Sequence, residues 1–182
     1  MTRAVLIPTA ANPLPSAPWV DAAHELLTGA GIRVDQLDVE HADEDEVRRT
    51  LGQAQLVFVA GGFPLFLLEH AMHSGFARLV VPAVRSGRLD YVGISAGAAL
   101  AAPDLAYFRE PDAAIDPGDP RVTGSTAGLS LVPFLVLAHR NRGRAARHDR
   151  QLTEQGAEHF VSIDDDQAVT IDGNTWRLVH SR

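Results

Sequence analysis

Strand-length apolar runs alternate along this chain with segments of helical period, and that alternation admits few folds. Residues 5–7 and 56–60 are such runs, and residues 32–37 and 89–93 read as two further strands. Repeated units of this kind gather their strands into a mostly parallel sheet flanked by helices, a three-layer α/β arrangement. In the first helical stretch Trp19, Ala22, Ala23, Leu26 and Leu27 fall on one face, and Gly29 and Gly31 end it. The run Asp43-Glu44-Asp45-Glu46 reads as the first turn of a helix, where carboxylates suit the positive dipole end, rather than as a metal site. Helices follow at about 65–73 and 76–86. Residues 103–127, rich in Pro, Asp and Gly without a period, read as a long surface excursion. Residues 131–137 restore a strand, 144–156 form a polar helix, and 160–180 close the chain as short strands turning at 164–166 and 172–174. At 182 residues, a single domain over 1–182 is expected.

Composition removes several chemistries. The chain has no cysteine, which excludes a thiol nucleophile, a zinc–thiolate site, an iron–sulfur cluster and disulfides. All 16 basic residues are arginine, and the net charge of −7 argues against nucleic acid as the main partner. No apolar run approaches the roughly 20 residues of a membrane span. Met1-Thr2-Arg3 leads straight into a strand without a signal-peptide pattern, so a cytoplasmic protein without membrane partners is expected. No metal and no cofactor are expected.

The sharpest chemical signal is Gly93-Ile94-Ser95-Ala96-Gly97, set between an apolar strand and the alanine-rich stretch 98–102. This is the G-x-S-x-G pattern of a nucleophile elbow in the context it requires: strand, sharp turn, helix. Small neighbours allow a strained turn that exposes the serine hydroxyl at a helix N-terminus, where N–H groups can stabilise an oxyanion. The pair Gly61-Gly62 ends the third strand and suggests a tight turn or a close approach to a ligand.

A serine hydroxyl needs a base, usually a histidine held by a carboxylate. His24, His70, His73 and His159 lie on or beside predicted helices and read as surface histidines. His148, in an arginine-rich helix, reads as solvated polar surface, and His180 sits at a fraying terminus. His139 directly follows the 131–137 strand, and so emerges at the carboxyl edge where sites gather in open α/β sheets.

Three stretches carry a family resemblance. They are residues 56–68, residues 91–98 with their GxSAGA elbow, and residues 128–134 together with His139. The chain resembles the peptidase E (aspartyl dipeptidase) family of serine peptidases, family S51, built on a class I glutamine amidotransferase-like, flavodoxin-like fold. The resemblance implies Ser95 as nucleophile, His139 as its base, and Gly62 and Ala96 as oxyanion-hole donors. It implies Asp165 as the third member, with Glu110 as the alternative acid and Asp164 and Asp166 as neighbours in the same turn. Arg147 would bind an acidic substrate group, a task suited to bidentate guanidinium pairing, and the substrate would be a short peptide, Asp-Xaa dipeptides first.

The chain departs from the family pattern in three places. Phe63 stands where members usually have Asn after the two glycines, and Ala138 and Arg140 replace a proline and an aromatic around the histidine. Many members also carry a further strand and helix ahead of the segment that here starts near Met1, and apolar surface uncovered by their absence leads to the expectation of an isologous homodimer. Two other functions remain open. One is an amidase or esterase on the same serine, including a small α/β-hydrolase with Asp116 or Asp119 as acid and His180 as base. The other is a non-catalytic member that binds an acidic ligand.

Overall fold

The computed structural model describes residues 2–110 and 124–181; Asp116 and Asp119 lie outside them. The chain divides into two compact units, Met1–Pro133 and Phe134–Arg182. The first unit runs β1 (Arg3–Ile7), a 3-10 turn (Thr9–Ala11), α1 (Pro18–Gly29), β2 (Arg33–Gln36), α2 (Glu44–Gly52) and β3 (Leu56–Val59). It continues through α3 (Pro64–His73), α4 (Phe76–Arg85), β4 (Asp90–Gly93), α5 (Ala96–Leu100) and a second 3-10 turn (Ala106–Arg109). Its strands form one sheet in the order β2-β1-β3-β4, every pair parallel.

Continuous burial in β1 and β3 explains the parallel sheet. Ala4 through Ile7 are all buried, which requires cover on both faces. One face packs Ala4, Leu6, Phe58 and Ala60 against Ala23 and Leu27 of α1. On the opposite face α5 lies so close to β3 that a Cβ at Gly97 would overlap the Val59 carbonyl. The apolar stripe of α1 is narrower than its spacing suggests: Ala23 and Leu27 are buried, whereas Ala22, Leu26 and Trp19 are exposed. The acidic run does start a helix, with the Asp43 carboxylate accepting the Glu46 N–H at 2.8 Å.

Because all four strands point one way, the segments that follow them share one edge. Thr9 follows β1, Asp38 follows β2, Gly61-Gly62 follows β3 and Ser95 follows β4. Among the described residues no helix is long and apolar enough to cross a membrane.

The second unit holds β5 (Leu135–Leu137), an irregular turn (Arg140–Arg144), α6 (Ala145–Gln155), a 3-10 turn (Ala157–His159), β6 (Phe160–Ser162), β7 (Gln167–Asp172) and β8 (Thr175–His180). β5 pairs parallel with β6, and β7 and β8 form an antiparallel hairpin. Three expectations need correction. The strand expected over 131–137 spans only Leu135–Leu137. Ahead of it Ser130 takes a positive φ, and the N–H groups of Leu131 and Val132 bond to the Ala101 carbonyl rather than to a strand. His148 is buried, not solvated: it lies on the inward face of α6 with its Nδ1 2.8 Å from Ser162 Oγ. His180 does not fray, since it pairs with Gln167 across the hairpin.

Candidate active site

The first unit brings a strained turn at Ser95 up against a glycine loop. Ser95 sits at φ 52°, ψ −106°, a conformation an L-residue takes only under constraint. Its neighbours supply the constraint, because Cβ atoms at Gly93 and Gly97 would overlap the Gly97 and Val59 carbonyls respectively. Tyr91 adds a clamp from β4 by donating its hydroxyl to the Gly97 carbonyl at 2.6 Å, and burial pushes its phenol above the ordinary tyrosine range. Ser95 is therefore held at the N-terminus of α5 with Ala96 as the first helical residue.

The loop after β3 lies against this elbow. A Cβ on Gly61 would stand 3.2 Å from the Ser95 Cβ. Gly62, at φ 149°, passes so close to the 3-10 turn that a Cβ would overlap the Ala10 carbonyl, so only glycine fits. That same carbonyl accepts the Phe63 N–H at 2.7 Å, and Trp19 Nε1 donates to the Gly61 carbonyl at 3.1 Å. Phe63 itself is buried, so this side chain serves the core. Among the described residues the Gly62 and Ala96 N–H groups donate to no backbone carbonyl outside regular elements.

The second unit brings together His139 and Asp165. His139, at φ 66°, caps the irregular turn after β5, and its Nδ1 lies 2.6 Å from Asp165 Oδ1. The turn is tied to the end of β6: Arg140 N–H donates to the Ile163 carbonyl, and Ile163 N–H donates to the Leu137 carbonyl, both at 3.0 Å. Asn141 Oδ1 accepts the Asp165 N–H at 3.3 Å, and Arg142 Nε donates to Asp165 Oδ2. Hydrogen bonding from His139, reinforced by Arg142, holds the Asp165 carboxyl below the ordinary aspartate range against the opposing effect of burial. A carboxylate on Nδ1 favours the tautomer that carries its proton on that nitrogen.

The other sequence candidates separate cleanly. Glu110 is exposed at the end of the second 3-10 turn in the first unit, and Asp165 makes the contact with His139. Arg147 is half-buried on α6, while Arg140 is committed to Asp149 through two contacts of 2.7 and 3.1 Å. Sequence reasoning missed Trp19, which looked like part of a core stripe, and Arg142 and Asn141, which lay hidden in an arginine-rich run. It also passed over Asp38, Glu40 and His41, whose ligand atoms lie within 4.8 Å of one another. The Asp38 carboxylate is already engaged there: burial opposes its charge, but hydrogen bonds from Thr9 at 2.7 Å and Asn12 at 2.9 Å leave its pKa lowered.

The model of peptidase family S51 matches residues 1–179. An uncharacterized peptidase of Listeria innocua is 32% identical over 135 residues, 74% of this chain and 63% of that protein. One of Pasteurella multocida is 33% identical over 133 residues, so the chain spans about six-tenths of the length of both relatives, 62% for the second. Peptidase E of Streptomyces coelicolor is 30% identical over 154 residues, 84% of this chain and 58% of that one. Among solved structures, a candidate peptidase E from Listeria monocytogenes superposes with a TM-score of 0.85 at 25% identity, covering 100% of this chain and 87% of that one.

Proposed function

The chain belongs to peptidase family S51, and from that premise we propose that it is a serine peptidase hydrolysing short peptides, Asp-Xaa dipeptides first. The observation that carries the mechanism is the 2.6 Å contact between His139 Nδ1 and Asp165, because it prepares the imidazole to act through Nε2. Ser95 Oγ attacks the scissile carbonyl carbon and its proton passes to His139 Nε2, leaving a tetrahedral oxyanion that the Gly62 and Ala96 N–H groups stabilise. Collapse breaks the C–N bond, and the proton moves from His139 to the departing amine. Water then attacks the acyl-enzyme by the same route and releases the acid and free Ser95. Asp165 stays ionised throughout and supports the imidazolium. Arg147 binds the acidic side chain of the substrate. We propose that residues 1–182 act as one domain, because each turnover in this reading draws on Ser95 and on His139.

The test is a panel of Asp-Xaa dipeptides offered to the wild-type chain and to Ser95→Ala. Free aspartate is expected from the wild type alone. Release by neither protein, or equal release by both, overturns the proposal. Cleavage of simple amides or esters without any dipeptide turnover would move the substrate class while keeping the serine.

A further inference from the structure

The Gly61–Gly62 peptide is one rigid plane with the Gly61 carbonyl at one end and the Gly62 N–H at the other. In a trans peptide these two groups point in opposite directions, and the chain holds no cis bond among its described residues. A plane between two glycines lacks the side chains that would otherwise restrict its rotation. Something outside the loop must therefore fix it if the Gly62 N–H is to serve as a preorganised donor. The carbonyl end is held by Trp19, whose indole Nε1 donates to Gly61 O at 3.1 Å. The next plane, Gly62–Phe63, is held separately by the 2.7 Å bond from Phe63 N–H to Ala10 O. Trp19 is otherwise poorly explained: it is a large apolar side chain on the buried-face side of α1, yet 42% of it is exposed.

We propose that Trp19 is a positioning residue for the oxyanion loop: its indole N–H pins the Gly61 carbonyl and thereby aims and polarises the Gly62 N–H beside Ser95. Accepting a hydrogen bond at the carbonyl draws electron density from the amide nitrogen, so the opposite N–H becomes a better donor. The effect is reciprocal. When the Gly62 N–H binds an oxyanion, the Gly61 carbonyl becomes a stronger acceptor and the indole bond tightens. Trp19 touches no substrate in this account, and its contribution appears only as negative charge develops on the substrate oxygen. The proposal rests on Ser95 being the nucleophile.

A fluorophosphonate tests both ideas without a known peptide substrate, since it forms a tetrahedral adduct on an activated serine. Labelling of the full chain at Ser95, located by mass spectrometry and absent in Ser95→Ala, supports the nucleophile; no labelling of the wild type overturns that reading and this inference together. Given labelling, Trp19→Phe keeps the ring and removes the donor. Losing one oxyanion-hole donor costs about 10²–10³ in turnover, so a donor left present but free to rotate should slow labelling roughly 10–100-fold. The reversible binding constant of the reagent should stay within about twofold and Trp176→Phe should label at the wild-type rate. Equal labelling rates in Trp19→Phe and wild type overturn the inference alone. Should Trp19→Phe not fold, the ¹⁵N-labelled Trp176→Phe protein decides, because it leaves one indole N–H signal to follow. That signal should move downfield on phosphonylation; an unmoved signal overturns the proposal.

Discussion

Backbone geometry at single residues sets the chemistry, and the glycines carry the largest share. Gly62 combines φ 149° with a place against Ala10 that leaves no room for a Cβ, so Gly62→Ala is expected to destabilise the fold by more than about 1 kcal/mol, the strain of such a backbone alone being of order 1–3. Urea unfolding reads the loss, and an unchanged midpoint would contradict the close approach. At the acid, Asp165→Asn should lower turnover by about 10³–10⁴ through the wrong imidazole tautomer while leaving the melting temperature near wild type. Glu110→Gln should leave turnover unchanged, and the reverse pattern would exchange the two acids. The strained turn at Ser95 was legible from its flanking glycines and the place of His139 from the strand before it, while the His139–Asp165 contact was expected only from the family resemblance. Trp19 and Arg142 were not legible, because a tryptophan in an apolar stripe and an arginine among arginines look like core and surface until a partner atom is placed beside them.

At the scale of elements, burial decides what composition leaves open. α6 carries enough arginine to read as solvent-facing throughout, yet it turns His148 and Gln151 inward, since a helix shows one face to its packing partner whatever its mean polarity. Burial, together with the charges of Arg147, Arg144 and Arg140, lowers the His148 pKa from 6.5 to about 4. The unfolded chain therefore binds this proton near 6.5 and the folded chain only near 4, so between those values the unfolded state holds more protons and stability falls as the pH falls. The expected loss is of order 1–3 kcal/mol, complete below about pH 4. His148→Gln should flatten this part of the pH–stability curve, and an unchanged slope in chemical denaturation would place the titration elsewhere. The strand β5 shows why boundaries were less legible than existence. The run 131–137 is apolar enough for seven strand residues, but the positive φ at Ser130 and the bonds from Leu131 and Val132 to Ala101 occupy its first half with a loop. Long-range hydrogen bonds of this kind leave no local periodicity to read.

Over the whole molecule, the alternation of strand and helix was legible from the first residues because parallel strands buried on both faces must be continuously apolar, as β1 and β3 are. Oligomeric state has no comparable signature. We propose a homodimer, which the exposed Ile171, Trp176 and Leu178 of the β7–β8 hairpin support; light scattering at micromolar concentrations tests it, and a mass equal to that of one chain throughout would overturn it. The catalytic reading makes a stricter demand on the whole chain, because Ser95 belongs to the first unit and His139 to the second. Residues that act in one proton transfer are strongly non-additive: once either is lost, removing the other takes away little more. Ser95→Ala and His139→Ala are each expected to reduce kcat/KM by several orders of magnitude, and the double variant should lie within about tenfold of the worse single one. If the two losses instead multiply, Ser95 and His139 contribute independently, and the base must be sought among the other histidines.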